Sequence, residues 1–102
     1  MKNLTLVVPA DIQQALADTL RSLEQLSGFT FTHVEGHGPQ DEANPQLSAR
    51  DRVIGFIPHL RVDMLLNDKD VEDVLQMLRA ADCGLAGRCS YQVTTVEKQG
   101  AL

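Results

Sequence analysis

The residues with the most versatile chemistry in this 102-residue chain are three histidines, His33, His37 and His59, and two cysteines, Cys83 and Cys89. Neutral imidazole and thiolate sulfur are transition-metal ligands, so His37, His59 and Cys83 form one candidate metal set. Their spacing matches no metal signature. His33 and His37 stand close together, but on a segment that reads as a strand entering a glycine turn, so they do not share a helical face. Ordinary sheet-face histidines fit the same positions, and imidazoles there could also bond a ligand or sense pH. The cysteines fit reduced structural thiols, one in a loop and one on a strand.

A second group could bind an anion. Gly36 and Gly38 bracket His37 as a GxG ahead of a long irregular stretch, and Arg88 follows Gly87 in the turn Cys83-Gly84-Leu85-Ala86-Gly87-Arg88. A GxG alone is a turn or bulge, and an isolated arginine is a solvated charge. Glycine turns also let backbone N–H groups approach a phosphate closely, with a neighbouring cation to neutralise it. Nothing points to catalysis: there is no nucleophile elbow, H-E-x-x-H or Walker loop, and no serine or cysteine with a paired base. The chain reads as a binding protein, not an enzyme.

Composition narrows the partners. A net charge of −5 and the lack of a Lys/Arg cluster oppose nucleic-acid binding. The opening MKNLTLVVPADIQ is too short in its apolar run for a secretory signal, and no stretch reaches the 18 or so apolar residues of a membrane span. A cytoplasmic protein without direct membrane insertion is expected. At this length one domain, 1–102, is expected, and a core so small gains from oligomerisation or a ligand.

The elements that position these residues follow from periodicity. Leu4 to Val8 is an apolar β-rich run closed by Pro9. Asp11 is placed to cap a helix whose apolar face, Ile12, Ala15, Leu16, Leu20, Leu23 and Leu26, ends at Ser27-Gly28. Phe29, Phe31, His33 and Glu35 alternate with Thr30, Thr32 and Val34 as a second strand. The stretch from Gly38 to Phe56 has no sustained periodicity and many turn-forming or charged residues, which predicts a long loop. Leu60, Val62, Met64 and Leu66 then alternate with His59, Arg61, Asp63 and Leu65. Val71, Val74, Leu75 and Leu78 form the apolar face of a second helix whose first turn carries Asp70, Glu72 and Asp73, favoured there by the helix dipole. The run from Cys89 to Val96 completes βαββαβ. This predicts an α+β, ferredoxin-like fold: a four-stranded antiparallel sheet, two helices on one face, and a long loop between strands 2 and 3.

The segment from Gly36 to Leu66 resembles the PII signal-transduction family. Glu35-Gly36-His37-Gly38-Pro39-Gln40 is similar to the G-x-G-x-Q that opens that family's T-loop. Phe56-Ile57-Pro58-His59-Leu60-Arg61-Val62-Asp63 resembles its F-L-P-K-x-x-x-E return to the sheet, and Gly84 to Arg88 a shortened G-D-G-K phosphate loop. The order and spacing of the three carry the resemblance, which spans nearly the whole chain.

The resemblance implies a PII-like regulatory protein: a homotrimer that binds a small effector, such as an adenine nucleotide, in clefts between subunits. It implies Gly36, His37, Gly38, Gln40, His59, Gly87 and Arg88 as ligand-binding residues and a T-loop-like segment at about 39–55 that contacts a partner. Small PII-like members associated with heavy-metal efflux systems are the preferred comparison, so the implied partner is a membrane transporter or efflux component. The alternative is a metal-ion-binding protein of the same trimeric fold, similar to the CutA group, holding a transition-metal ion through His37, His59 or Cys83. The chain also departs from the family. Arg88 and His59 stand where lysines are expected, the turn before Arg88 is shorter, and the tail after Val96 has Lys98 in place of paired arginines. Tyr91 is the only tyrosine, so the loop has none to uridylylate.

Overall fold

The apolar run at the start becomes the centre of a sheet. In the computed structural model, which describes residues 1–37 and 57–102, β1 spans Lys2–Pro9 and is flanked on both sides, by β3 (Ile57–Leu66) and β4 (Ser90–Thr95). β2 (Thr30–Gly36) pairs with the other edge of β3. Every pairing is antiparallel and the order is β2-β3-β1-β4, the ferredoxin-like arrangement. Pro9 is tolerated inside β1 because β4 ends its pairing at Val7↔Ser90, leaving Pro9 opposite His59 alone.

Two helices cover one face. α1 runs Gln13–Arg21 after a 3-10 turn at Ala10–Ile12, and α2 runs Val71–Ala80 after a 3-10 turn at Asp68–Asp70. The even-numbered residues of the central strands meet them. Leu4, Leu6 and Val8 of β1 and Leu60, Val62, Met64 and Leu66 of β3 are at most 2% exposed, packed in one cluster with Leu16, Leu20, Val74, Leu75 and Leu78. Burying one such side chain contributes about 1.5–3 kcal/mol.

α1 stops at Arg21, short of the expected end at Ser27-Gly28. The Thr19 hydroxyl donates to the Ala15 carbonyl at 3.1 Å and the Ser22 hydroxyl to the Thr19 carbonyl at 2.6 Å, so side chains compete for the acceptors of the helical ladder. The chain continues in three-residue turns, Leu23 N–H to Leu20 C=O and Leu26 N–H to Leu23 C=O, which still bring Leu23 and Leu26 against the core. The periodicity located Ile12, Leu16 and Leu20 on the buried face, but Ala15 is exposed and Ala17 is buried in its place, and the helix end differs from the expected one.

Among the described residues no helix lies on the second sheet face. By register it presents Asn3, Thr5 and Val7 of β1, His59, Arg61, Asp63 and Leu65 of β3, Thr32 and Val34 of β2, and Gln92 and Thr94 of β4. Among the described residues no helix is long and apolar enough to cross a membrane.

Candidate functional site

The sheet brings the expected ligand residues to one end. β1 and β2 finish there, at Pro9 and Gly36, and β3 and β4 begin there, at Ile57 and Ser90. Gly36-His37, His59 and Gly87-Arg88 therefore meet at a single rim, spread over four strands about 4.8 Å apart. Gly38, Gln40 and the segment 39–55 lie outside the described residues, as does Phe56.

Gly36 is glycine for a steric reason. A Cβ built there would collide with the His59 imidazole, which lies across it. His59 sits between two pairings, with Pro9 on one side and Val34 on the other. His37 follows β2 and lies 3.3 Å from the Glu35 carboxylate, with both side chains mostly exposed.

Arg88 has a partner that its sequence position did not reveal. Its Nη2 donates to both Asp11 oxygens at 2.8 Å, joining the loop before β4 to the 3-10 turn before α1. Asp11 was expected to cap the helix, but neither Pro9 nor Ile12 at the helical N-caps makes a side-chain cap bond and the Asp11 carboxylate turns to Arg88. The Arg88 side chain is 21% exposed and its Nε is buried with no hydrogen-bond partner among the described residues. The loop turns through Gly84 (φ +90°) and Gly87 (φ +71°), left-handed conformations that glycine adopts without strain. The Arg88 N–H closes the turn on the Leu85 carbonyl at 2.9 Å.

Beside this loop lies a groove of about 270 Å³ lined by Leu6, Leu78, Leu85 and Ala86 together with Arg79, Gly87 and Cys89. Its lining is mainly apolar with one cation. The Arg79 guanidinium also stands over the Tyr91 ring at 6.0 Å, within cation–π range. Gly87 borders the groove, while Arg88 is directed to Asp11.

Cys83 is buried in the core, so of the expected metal ligands it stands apart from the exposed His37. Among the described residues no three His, Cys, Asp or Glu side chains come together as a metal-binding group. Both cysteines are free thiols. Burial pushes the Cys89 thiol up to about 11, with the nearby Cys83 adding to the effect, which leaves it a poor nucleophile near neutral pH.

The opposite end of the sheet holds a polar cluster that sequence reasoning missed. Asp63 accepts from Thr5 at 2.8 Å, from Asn3 at 3.2 Å and from Arg61 at 3.1 Å. Burial raises the Asp63 carboxyl, but the hydrogen bonds from Arg61, Thr5 and Asn3 outweigh it and hold the group below its usual range. Arg61 and Asp63 stand two apart on the polar phase of β3, a signal visible in the sequence. Their partners Asn3 and Thr5 emerge only from the β1–β3 register.

A four-stranded antiparallel sheet of order β2-β3-β1-β4, with a glycine turn leading into β4, fits a PII-like architecture. The family described as Protein of unknown function (DUF3240) matches residues 1–102, and the chain belongs to it. The chain is 31% identical over 74 residues to a Nitrogen regulatory protein P-II of Rhizobium leguminosarum bv. viciae, covering 72% of this chain and 67% of that protein. A protein of the same name from Rhizobium meliloti is also 31% identical, over 72% of this chain and 66% of its own. The chain thus spans about two thirds of the length of these relatives. A DUF3240 family protein from Shewanella baltica OS155 shares the fold, with a TM-score of 0.76 at 21% identity over 99% of this chain and 94% of that one.

Proposed function

We propose that this protein is a PII-like regulatory module, a homotrimer that binds a small anionic effector, such as an adenine nucleotide, between subunits and acts on a partner through its 39–55 segment. The observation that carries this reading is the convergence of Gly36-His37, His59 and Gly87-Arg88 at the rim from which that segment departs. Relatives named as nitrogen regulatory proteins support a regulatory role over an enzymatic one.

Self-association is supported by exposed surface among the described residues. All six residues of β4, an edge strand of the described sheet, are exposed, Tyr91 and Val93 at 53% and 38%. An exposed edge strand is stabilised by pairing with a second copy. A cytoplasmic trimer acting on a membrane transporter or efflux component is the version of this reading we favour.

Calorimetric titration with ATP, ADP, AMP and cyclic AMP tests the effector, and light scattering tests the trimer. Saturable heat with at least one nucleotide, lost in Arg88→Ala, is expected. No heat with any of the four rules out the adenine-nucleotide form of the reading.

A further inference from the structure

We infer that Asp11 is a built-in competitor for Arg88: its carboxylate occupies the guanidinium in the effector-free protein, and an anionic ligand must displace it. The inference rests on the reading that Arg88 serves an anion site, and it adds the regulation of that site.

Three observations support the exchange. First, the Arg88–Asp11 pair uses the guanidinium incompletely. Both carboxylate oxygens fall on the single nitrogen Nη2, while Nε stays buried without a partner among the described residues. A guanidinium is strongest when two nitrogens face two oxygens, so this pairing leaves donor capacity unused that a phosphate could take up. Second, the two partners differ in mobility. The Asp11 side chain is 64% exposed, so on release it returns to water at little cost, whereas Arg88 is anchored in a turn closed by its own N–H. Third, the space beside the loop suits an anion. Among the described residues nothing lies within 4 Å of where a Cβ on Gly87 would stand, and Arg79 lines the adjoining groove as a second cation.

The exchange takes place close to the rim: Asp11 lies two residues after Pro9, the strand residue opposite His59, whose ring covers Gly36.

The test is calorimetric titration of inorganic pyrophosphate and of ATP into wild type, Asp11→Asn and Arg88→Gln. Asp11→Asn keeps the shape and removes the charge, so an anion should bind about three- to tenfold tighter than in wild type, the range expected for a half-exposed competing ion pair. Arg88→Gln should abolish binding in either background. Amide spectra supply a second readout: pyrophosphate-saturated wild type should move the Ala10–Ile12 signals toward their positions in ligand-free Asp11→Asn. Equal affinity in wild type and Asp11→Asn, with binding still lost in Arg88→Gln, overturns the competition and leaves the regulatory reading standing. Binding that survives Arg88→Gln overturns the competition and moves the effector elsewhere on the rim. No binding of either probe to any of the three proteins overturns both.

Discussion

Gly36→Ala probes the root of the 39–55 segment with the smallest change the genetic code allows. The added Cβ occupies space now filled by the His59 imidazole, so the ring must move. Overpacking of this kind costs about 1–3 kcal/mol. Gly36 has no positive φ, so alanine strains no backbone and recovers about 0.4–1 kcal/mol by restricting the unfolded chain. The net expectation is a loss of up to about 2.6 kcal/mol, or a fall of up to roughly 10–20 °C in the melting temperature for a domain of this size. His59 is only partly buried, which places the effect toward the lower end if the ring can swing to solvent. Urea denaturation of Gly36→Ala, His59→Ala and the double variant closes a double-mutant cycle. The clash exists only while the ring is present, so the double variant should be more stable than the sum of the singles by about 1 kcal/mol or more. Strict additivity, or a fully stable Gly36→Ala, would show that the imidazole does not rest on Gly36.

Two pKa shifts give further expectations. Raising the Cys89 thiol from 9.0 to about 11 cuts its thiolate fraction at pH 8 roughly a hundredfold, so iodoacetamide should label Cys89 of the wild-type protein about that much more slowly than a free thiol; peptide mass spectrometry reads the rate at Cys89, and labelling as fast as glutathione refutes the burial of Cys89. The same shift makes the folded state hold its proton longer than the unfolded one, so this group's contribution is full below about pH 9 and is lost as pH rises toward 11. Asp63 behaves oppositely: its folded carboxyl is lowered from 3.8, so its contribution is present above that value and is lost as pH falls through the folded pKa. Asp63→Asn should destabilise at pH 7 by about 1–2 kcal/mol and flatten the acid limb below pH 4, measured by urea midpoints across pH; an unchanged acid limb would assign it to other carboxylates.

What the sequence made legible was decided by range. The alternation of Leu60, Val62, Met64 and Leu66 with polar neighbours named the buried face of β3 because a strand writes its two faces directly into its spacing. The buried Leu16 and Leu20 of α1 were equally plain, but the helix end was not, since Thr19 and Ser22 stop the ladder through side-chain bonds to backbone that periodicity does not encode. Asp11 shows the limit most clearly. Ahead of an apolar helix it reads as a cap, yet its partner lies 77 residues away and becomes visible only when β4 is placed beside β1. Gly36 was read as a turn residue on local grounds, and the imidazole it accommodates comes from the neighbouring strand. Motif spacing found Gly36, His59 and Arg88, and strand order alone explains why they share a rim.

That rim also sets how β2 and β3 meet. Gly36 and Ile57 are a directly opposed antiparallel pair, so the chain leaves and re-enters the sheet through one rung, with the two Cα atoms about 4.5–5.5 Å apart. On the β3 side the adjacent side chain on the open face is His59, and on the β2 side it is Val34 opposite it. The rest of β3 is held rigidly, by the core through Leu60 and Val62 and by the Asp63 cluster at the far end. The contrast along the strand is one of burial: Leu60 and Val62 are fully enclosed, whereas His59 and its neighbour Gly36 at the rim are only partly so.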